Sequence, residues 1–112
     1  MYLKFIVICP FILDGFGAYY GCFKNNDTHL PFHQTSDWSY MTNEMCQCNC
    51  LKAGKPYAGT QYFGKCSCGD NLPSNDYSLE ERYCNSQCKG NSSQMCGGFE
   101  RNSIYGTGLE NL

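Results

Sequence analysis

Hydrophobic positions are distributed unevenly along this chain. Phe5–Leu13 is an almost unbroken apolar run, and every later apolar stretch is short and interrupted by turn residues. "AYYGCF" reads as a first strand, and "KNNDTHLPFHQTSDW" as a turn-rich loop. Thr42 is placed to cap a helix opened by Asn43, Glu44 and Met45 and ended by Gly54 and Pro56, with Glu44 suiting the positive end of its dipole. "KPYAGTQYFGKCSCGDNL" predicts two short strands around Gly64, closed by Gly69, Asp70 and Asn71. "SLEERYCNSQC" repeats the helix-start pattern, with Ser78 as cap and Glu80 and Glu81 in the first turn. "KGNSSQMCGG" reads as a tight loop and "NSIY" as a closing strand. The order implies a small α+β domain, a short antiparallel sheet with two short helices.

Composition changes this picture first through cysteine. Ten cysteines in 112 residues mark a disulfide-reinforced secreted domain, because a thin core leaves ordering entropy that cross-links offset in the unfolded state. The N-terminus agrees: Lys4 precedes the apolar run, and Gly15 and Gly17 stand at the −3 and −1 positions of a cleavage site. Residues 1–17 are therefore expected to be a signal peptide, 18–105 the domain and 106–112 a polar tail. The apolar run is too short to span a bilayer and is not repeated, so no membrane insertion is expected. Read otherwise, Met1–Leu13 is a buried strand. A net charge of −2 argues against nucleic acid as a partner. Two sequons, at Asn26 and Asn91, suit the secretory route.

Spacing constrains the sulfurs further. On a helix Cys46 and Cys50 share one face about 6 Å apart, with Cys48 pointing away. On a strand Cys66 and Cys68 share one face about 6.7 Å apart. The two spacings match, so helix and strand can carry two parallel bridges, although geometry leaves open which cysteine joins which. Cys84 and Cys88 are again i and i+4. Cys88 and Cys96 are close in sequence with glycines between and beyond them, which favours that local pair and leaves Cys22 for Cys84. Zinc on Cys46, Cys50, Cys66 and Cys68 is the competing reading; a CxC strand presents its thiolates poorly to one ion, and neither metal nor cofactor is expected.

Taken together, "YYGCF", "MTNEMCQCNC", "YAGTQYFGKCSCGDNL", "CNSQCKGNSSQMCGG" and "RNSIY" resemble the WSC domain, the cysteine-rich module of fungal cell-wall stress sensors, Kremen receptors and some secreted carbohydrate-active proteins. The resemblance covers nearly all of Tyr20–Tyr105. It implies four disulfides, Cys22–Cys84, Cys46–Cys66, Cys50–Cys68 and Cys88–Cys96. Two positions depart from the family: Cys48 is extra, and Lys65 stands where an acidic or polar residue is usual. With Cys9 removed in the signal, Cys48 is expected to be free or to join two copies in a homodimer; if Cys9 is retained instead, Cys9–Cys48 becomes possible and residues 1–17 are not a cleaved signal.

The family is regarded as carbohydrate-binding, and composition permits this. Seventeen aromatic residues, nine of them tyrosine, are many for a domain whose bridges do much of the core's work. Sugar C–H faces stack on aromatic rings, and amides and carboxylates bind hydroxyls. Trp38, Tyr40, Tyr62, Phe63 and Tyr77 are the stacking candidates, with Gln61, Asp70 and Asn71 as polar partners. Tyr20, Phe23, Tyr57 and Tyr105 lie within strand phrases and read as core. Strand alternation puts Gln61 and Phe63 on one face and Tyr62 on the other. His29 and His33 have no nucleophile or carboxylate at a recognisable spacing, so catalysis is not expected. The expected function is a secreted, non-catalytic binder of polysaccharide or glycan; the alternative is a secreted domain that binds a receptor or matrix protein.

Overall fold

A computed structural model describes Cys9, residues 17–26 and residues 28–112. The expected signal peptide, apart from Cys9 and Gly17, lies outside the described residues. Six strands form one antiparallel sheet: β1 (Tyr19–Lys24), β2 (Phe32–Ser36), β3 (Tyr57–Gln61), β4 (Lys65–Gly69), β5 (Ser78–Leu79) and β8 (Arg101–Gly106). Their order is β2-β4-β3-β8-β1-β5, and a separate two-stranded ribbon joins β6 (Gln87–Cys88) to β7 (Asn91–Met95). One α-helix, α1 (Asn43–Lys52), crosses one face of the sheet.

The α1 start follows its sequence: Thr42 Oγ1 accepts the Met45 N–H at 3.0 Å, and Glu44 lies in the first turn. The helix has no apolar stripe. Its buried residues are Asn43, Cys46, Gln47, Cys48 and Cys50, so sulfur and hydrogen bonds hold it where leucines would in a larger protein. Cys46–Cys66 and Cys50–Cys68 tie it to β4, each with Cα atoms 5.4 Å apart. Asn43 is a buried hub: its Nδ2 donates to Met95 O at 2.9 Å, and its Oδ1 accepts from Thr60 Oγ1 at 2.7 Å. Gln47 Nε2 donates to Gly106 O at 2.9 Å. Met41, Ala58 and the buried sulfurs fill the space around these contacts. On the opposite face Phe23, Leu30 and Ile104 form a second small cluster, edged by Tyr20, Tyr57, Leu72 and Tyr77.

Four bridges, Cys22–Cys84, Cys46–Cys66, Cys50–Cys68 and Cys88–Cys96, are the pairs the family resemblance implies. The count of four is corrected to five. Cys48 is neither free nor intermolecular but bridged to Cys9, with Cα atoms 5.5 Å apart. It does face away from the Cys46–Cys50 side of α1, and the partner arrives there from the N-terminal segment.

The second helix is also corrected. Residues 78–88 form β5, one 3-10 turn (Glu81–Tyr83) and β6. Ser78 and Leu79 pair with Phe23 and Cys22, and Cys84 is bridged to Cys22, so the segment is drawn out along β1 before a helical turn can propagate. Two segments expected as loops contain strands: β2 pairs Thr35 with Cys66, and β7 forms the ribbon with β6. Residues 106–112 do not form a free tail. Gly106 ends β8, Thr107 is buried with its Oγ1 donating to Lys55 O at 2.7 Å, and Glu110 accepts from Tyr20 OH at 3.1 Å.

Candidate functional site

The β3–β4 connection is the residue group Tyr62, Phe63 and Gly64, with Gln61 paired to Lys65 across it. Tyr62 has φ 47° and Phe63 φ 74°. Left-handed backbone of this kind is ordinarily occupied by glycine or asparagine and costs other L-residues about 1–2 kcal/mol each. Because β3 ends at Gln61, strand alternation no longer applies, and the Tyr62 and Phe63 rings sit together rather than on opposite faces, 4.9 Å apart at 64°.

Phe99, in the turn that leads into β8, adds a third ring, 5.6 Å from Tyr62 and 64% exposed. Glu100 beside it has φ 57°, so all three non-glycine residues of positive φ among the described residues lie in the two turns that build this end.

Neighbouring loops are locked against the turn by backbone bonds. Asp37 N donates to Gly64 O at 2.8 Å and Lys89 N to Phe63 O at 3.1 Å, while Gly90 N donates to Met41 O at 2.7 Å and joins those two loops to each other. The Asp37 carboxylate accepts from Ser39 N and Tyr40 N at 2.9 and 2.7 Å, which fixes the Trp38–Tyr40 loop. Trp38 lies over Gly64, where a Cβ would come within 2.9 Å of its Cε3. Glycine is required there by close approach. Trp38, Tyr40 and Tyr62 are all exposed, and the Lys89 ammonium stands 5.0 Å above the Phe63 ring.

The remaining predicted residues separate from this platform. Gln61 lines a polar depression of about 210 Å³ together with Asn25, Asn26, Gln34 and Lys65. Asp70, Asn71 and Tyr77 lie at the other end of β4, about 13 Å along the strand, in a cleft of about 500 Å³ with His29 and Phe32. Asp70 is engaged by Lys55 at 3.3 Å, and the same ammonium covers the Phe32 ring at 3.8 Å. Tyr77 is half-buried and meets His29 edge to face at 4.4 Å. Burial holds the His29 imidazole below its ordinary pKa, and its Nδ1 has no hydrogen-bond partner. Phe99, Phe32 and Lys89 were not singled out from sequence; the only trace of Phe99 is a large apolar residue straight after Gly97-Gly98, where a turn should be polar.

Both sequons take one geometry. Asn26 Oδ1 accepts from Thr28 N and Oγ1 at 3.0 and 2.9 Å, and Asn91 Oδ1 accepts from Ser93 N and Oγ at 3.0 and 2.6 Å.

Among the described residues, five bridges, one α-helix and a small antiparallel sheet with an aromatic end define a disulfide-braced module. Residues 19–98 match the WSC domain family, and the chain belongs to it. It is 37% identical over 91 residues to "Xylosyltransferase oxt" of Drosophila melanogaster, covering 80% of this chain and 10% of that protein. A "WSC domain-containing protein" of Arthroderma benhamiae is 35% identical over 97 residues, covering 85% of this chain and 10% of the relative. "Protein SLG1" of Saccharomyces cerevisiae is 33% identical over 89 residues, covering 78% of this chain and 22% of that protein. The chain thus spans a small fraction of each relative's length. Among the described residues no helix is long and apolar enough to cross a membrane.

Proposed function

We propose that this domain is a secreted, non-catalytic carbohydrate-binding module that recognises polysaccharide or glycoconjugate through the platform of Trp38, Tyr62, Phe63 and Phe99. The observation that carries the reading is the left-handed backbone at Tyr62 and Phe63. Two bulky aromatics are held at an exposed hairpin tip in a conformation that glycine would adopt without strain, and strain of this kind collects at binding sites. Membership of a family found in cell-surface and polysaccharide-associated proteins supports the extracellular setting. All ten cysteines are in disulfides and so are not nucleophiles, and His29 is wedged against Tyr77. The sequons at Asn26 and Asn91 are proposed glycan acceptors. Tyr40 extends the platform, while Gln61, Asp70, Asn71 and Tyr77 stand apart from it.

The test is retention on insoluble β-glucan and chitin together with a glycan array, repeated with Trp38→Ala and Tyr62→Ala. Binding reduced in both variants supports the reading. No retention on any polysaccharide would replace it with a protein-binding role.

A further inference from the structure

Cations are placed unequally on this molecule. Among the described residues Lys55 pairs with Asp70 and Arg82 with Glu80, while Lys24, Lys52, Lys65, Lys89 and Arg101 have no carboxylate at ion-pairing distance. All but Lys52, in the last turn of α1, lie toward the aromatic end: Lys65 opens β4, Lys89 covers Phe63, and Lys24 and Arg101 are direct cross-strand neighbours at the ends of β1 and β8. Like charges set opposite one another on a sheet are unfavourable. The pair nevertheless lines a cavity of about 310 Å³ together with Leu79, Tyr83, Phe99 and Glu100. The Tyr83 ring is flanked by two guanidinium groups, Arg82 at 4.7 Å and Arg101 at 5.2 Å. A guanidinium over an aromatic ring is held in place with N–H donors left at its edge, the arrangement suited to two-pronged contact with a carboxylate or sulfate. Glu100 is the opposing carboxylate, so the cleft carries two cations against one anion.

We infer that this cleft is an anion subsite, in which Lys24 and Arg101 hold the carboxylate of a uronic acid or the sulfate ester of a sulfated sugar while Phe99 and Tyr83 contact the ring. The inference rests on the carbohydrate-binding reading above and specifies its ligand as an acidic polysaccharide. Lys24 and Arg101 then face a partner that relieves their mutual repulsion, and Phe99 joins the cleft to Tyr62 and the aromatic platform.

The experiment measures binding of the full chain to polygalacturonate, dextran sulfate, neutral dextran and soluble β-glucan across a salt series. The two acidic polymers separate carboxylate from sulfate as the recognised group. At least one acidic polymer should bind about tenfold more tightly than either neutral one, and Arg101→Gln and Lys24→Gln should each weaken that binding about tenfold. Lys52→Gln removes a cation from the last turn of α1 and should change nothing. Glu100→Gln removes the opposing charge without altering side-chain shape and should tighten binding, a gain that misfolding cannot mimic. Equal losses in Arg101→Gln and Lys52→Gln, or no gain in Glu100→Gln, would overturn the subsite as general charge attraction. Binding of β-glucan without preference for the acidic polymers overturns the subsite and leaves the carbohydrate reading intact. Failure to bind any polymer overturns both.

Discussion

The strained tip permits a test that separates a binding role for Tyr62 from a structural one. Tyr62 is 44% exposed, so of the roughly 200 Å² a tyrosine presents, about 90 Å² is open to solvent. A sugar stacked on one ring face would cover about half of that. At about 25 cal/mol per Å² the contact is worth about 1 kcal/mol, or about sixfold in Kd. Tyr62→Ala and Tyr62→Gly remove the same ring and should weaken polysaccharide binding by that same factor. Their stabilities should differ, because alanine retains the penalty of φ 47° and glycine does not. The glycine variant should be the more stable by about 0.5–1 kcal/mol, whereas in an ordinary strand alanine would be favoured. Isothermal calorimetry reads the first quantity and urea unfolding, with disulfides intact, the second. Equal Kd for wild type and both variants would refute the platform, and an alanine variant as stable as glycine would refute the strain.

Asn43→Ala orphans Thr60 Oγ1 and Met95 O and should cost about 3 kcal/mol in urea unfolding, with Thr60→Val costing at least about 1 kcal/mol less in that background than alone; strict additivity would deny the hub. Desolvation and then the hydrogen bond to Glu81 raise the Tyr19 pKa, and burial also raises those of Tyr20 and Tyr105. Their contribution to stability is therefore complete below about pH 10, the unfolded value, and is lost as pH rises toward the raised folded values. Urea midpoints from pH 8 to 11 should fall for wild type and fall less for Tyr19→Phe; parallel curves would contradict this. Thiol titration of the denatured full chain should find no free thiol in wild type and one in Cys48→Ser, and two thiols in wild type would rule out Cys9–Cys48.

What was legible in the sequence was mostly what covalent geometry dictates. The i, i+4 and i, i+2 cysteine spacings placed α1 across β4, and Thr42 marked the helix start to the residue. Ser78, Glu80 and Glu81 offered an equally good helix signature, yet pairing of Ser78 and Leu79 with β1 overrode it, since local propensity is a weak prior beside a strand partner and a bridge. The edge strand β2 carries one apolar residue, Phe32, followed by four polar ones, so no alternation announces it. The platform is half visible: the aromatics stand side by side in "GTQYFG", but the contact of their rings depends on a left-handed turn that periodicity does not encode, and Phe99 arrives from a segment 36 residues beyond Phe63. Cys48 looked unpaired only because Cys9 was assigned to a segment expected to be removed.

The pairing of Tyr19 with Tyr105 puts the entry to β1 beside the exit from β8, with Gly106 N bonded to Ala18 O at 2.8 Å. Tension applied through these two points would peel the strands apart from that end. The covalent route for the load then runs from Ala18 to Cys22, across to Cys84, on to Cys88, across to Cys96 and out to Gly106. Stretched fully, that route is roughly 70 Å long, against roughly 300 Å for the same span without bridges. For a load applied at Ala18 itself, residues 23–83 hang outside that route, so Trp38 and the Tyr62–Phe63 tip bear no load, whereas a load arriving from beyond Cys9 would reach α1 through Cys9–Cys48. A pulled domain would give up a short leash and stop, its aromatic tip still folded.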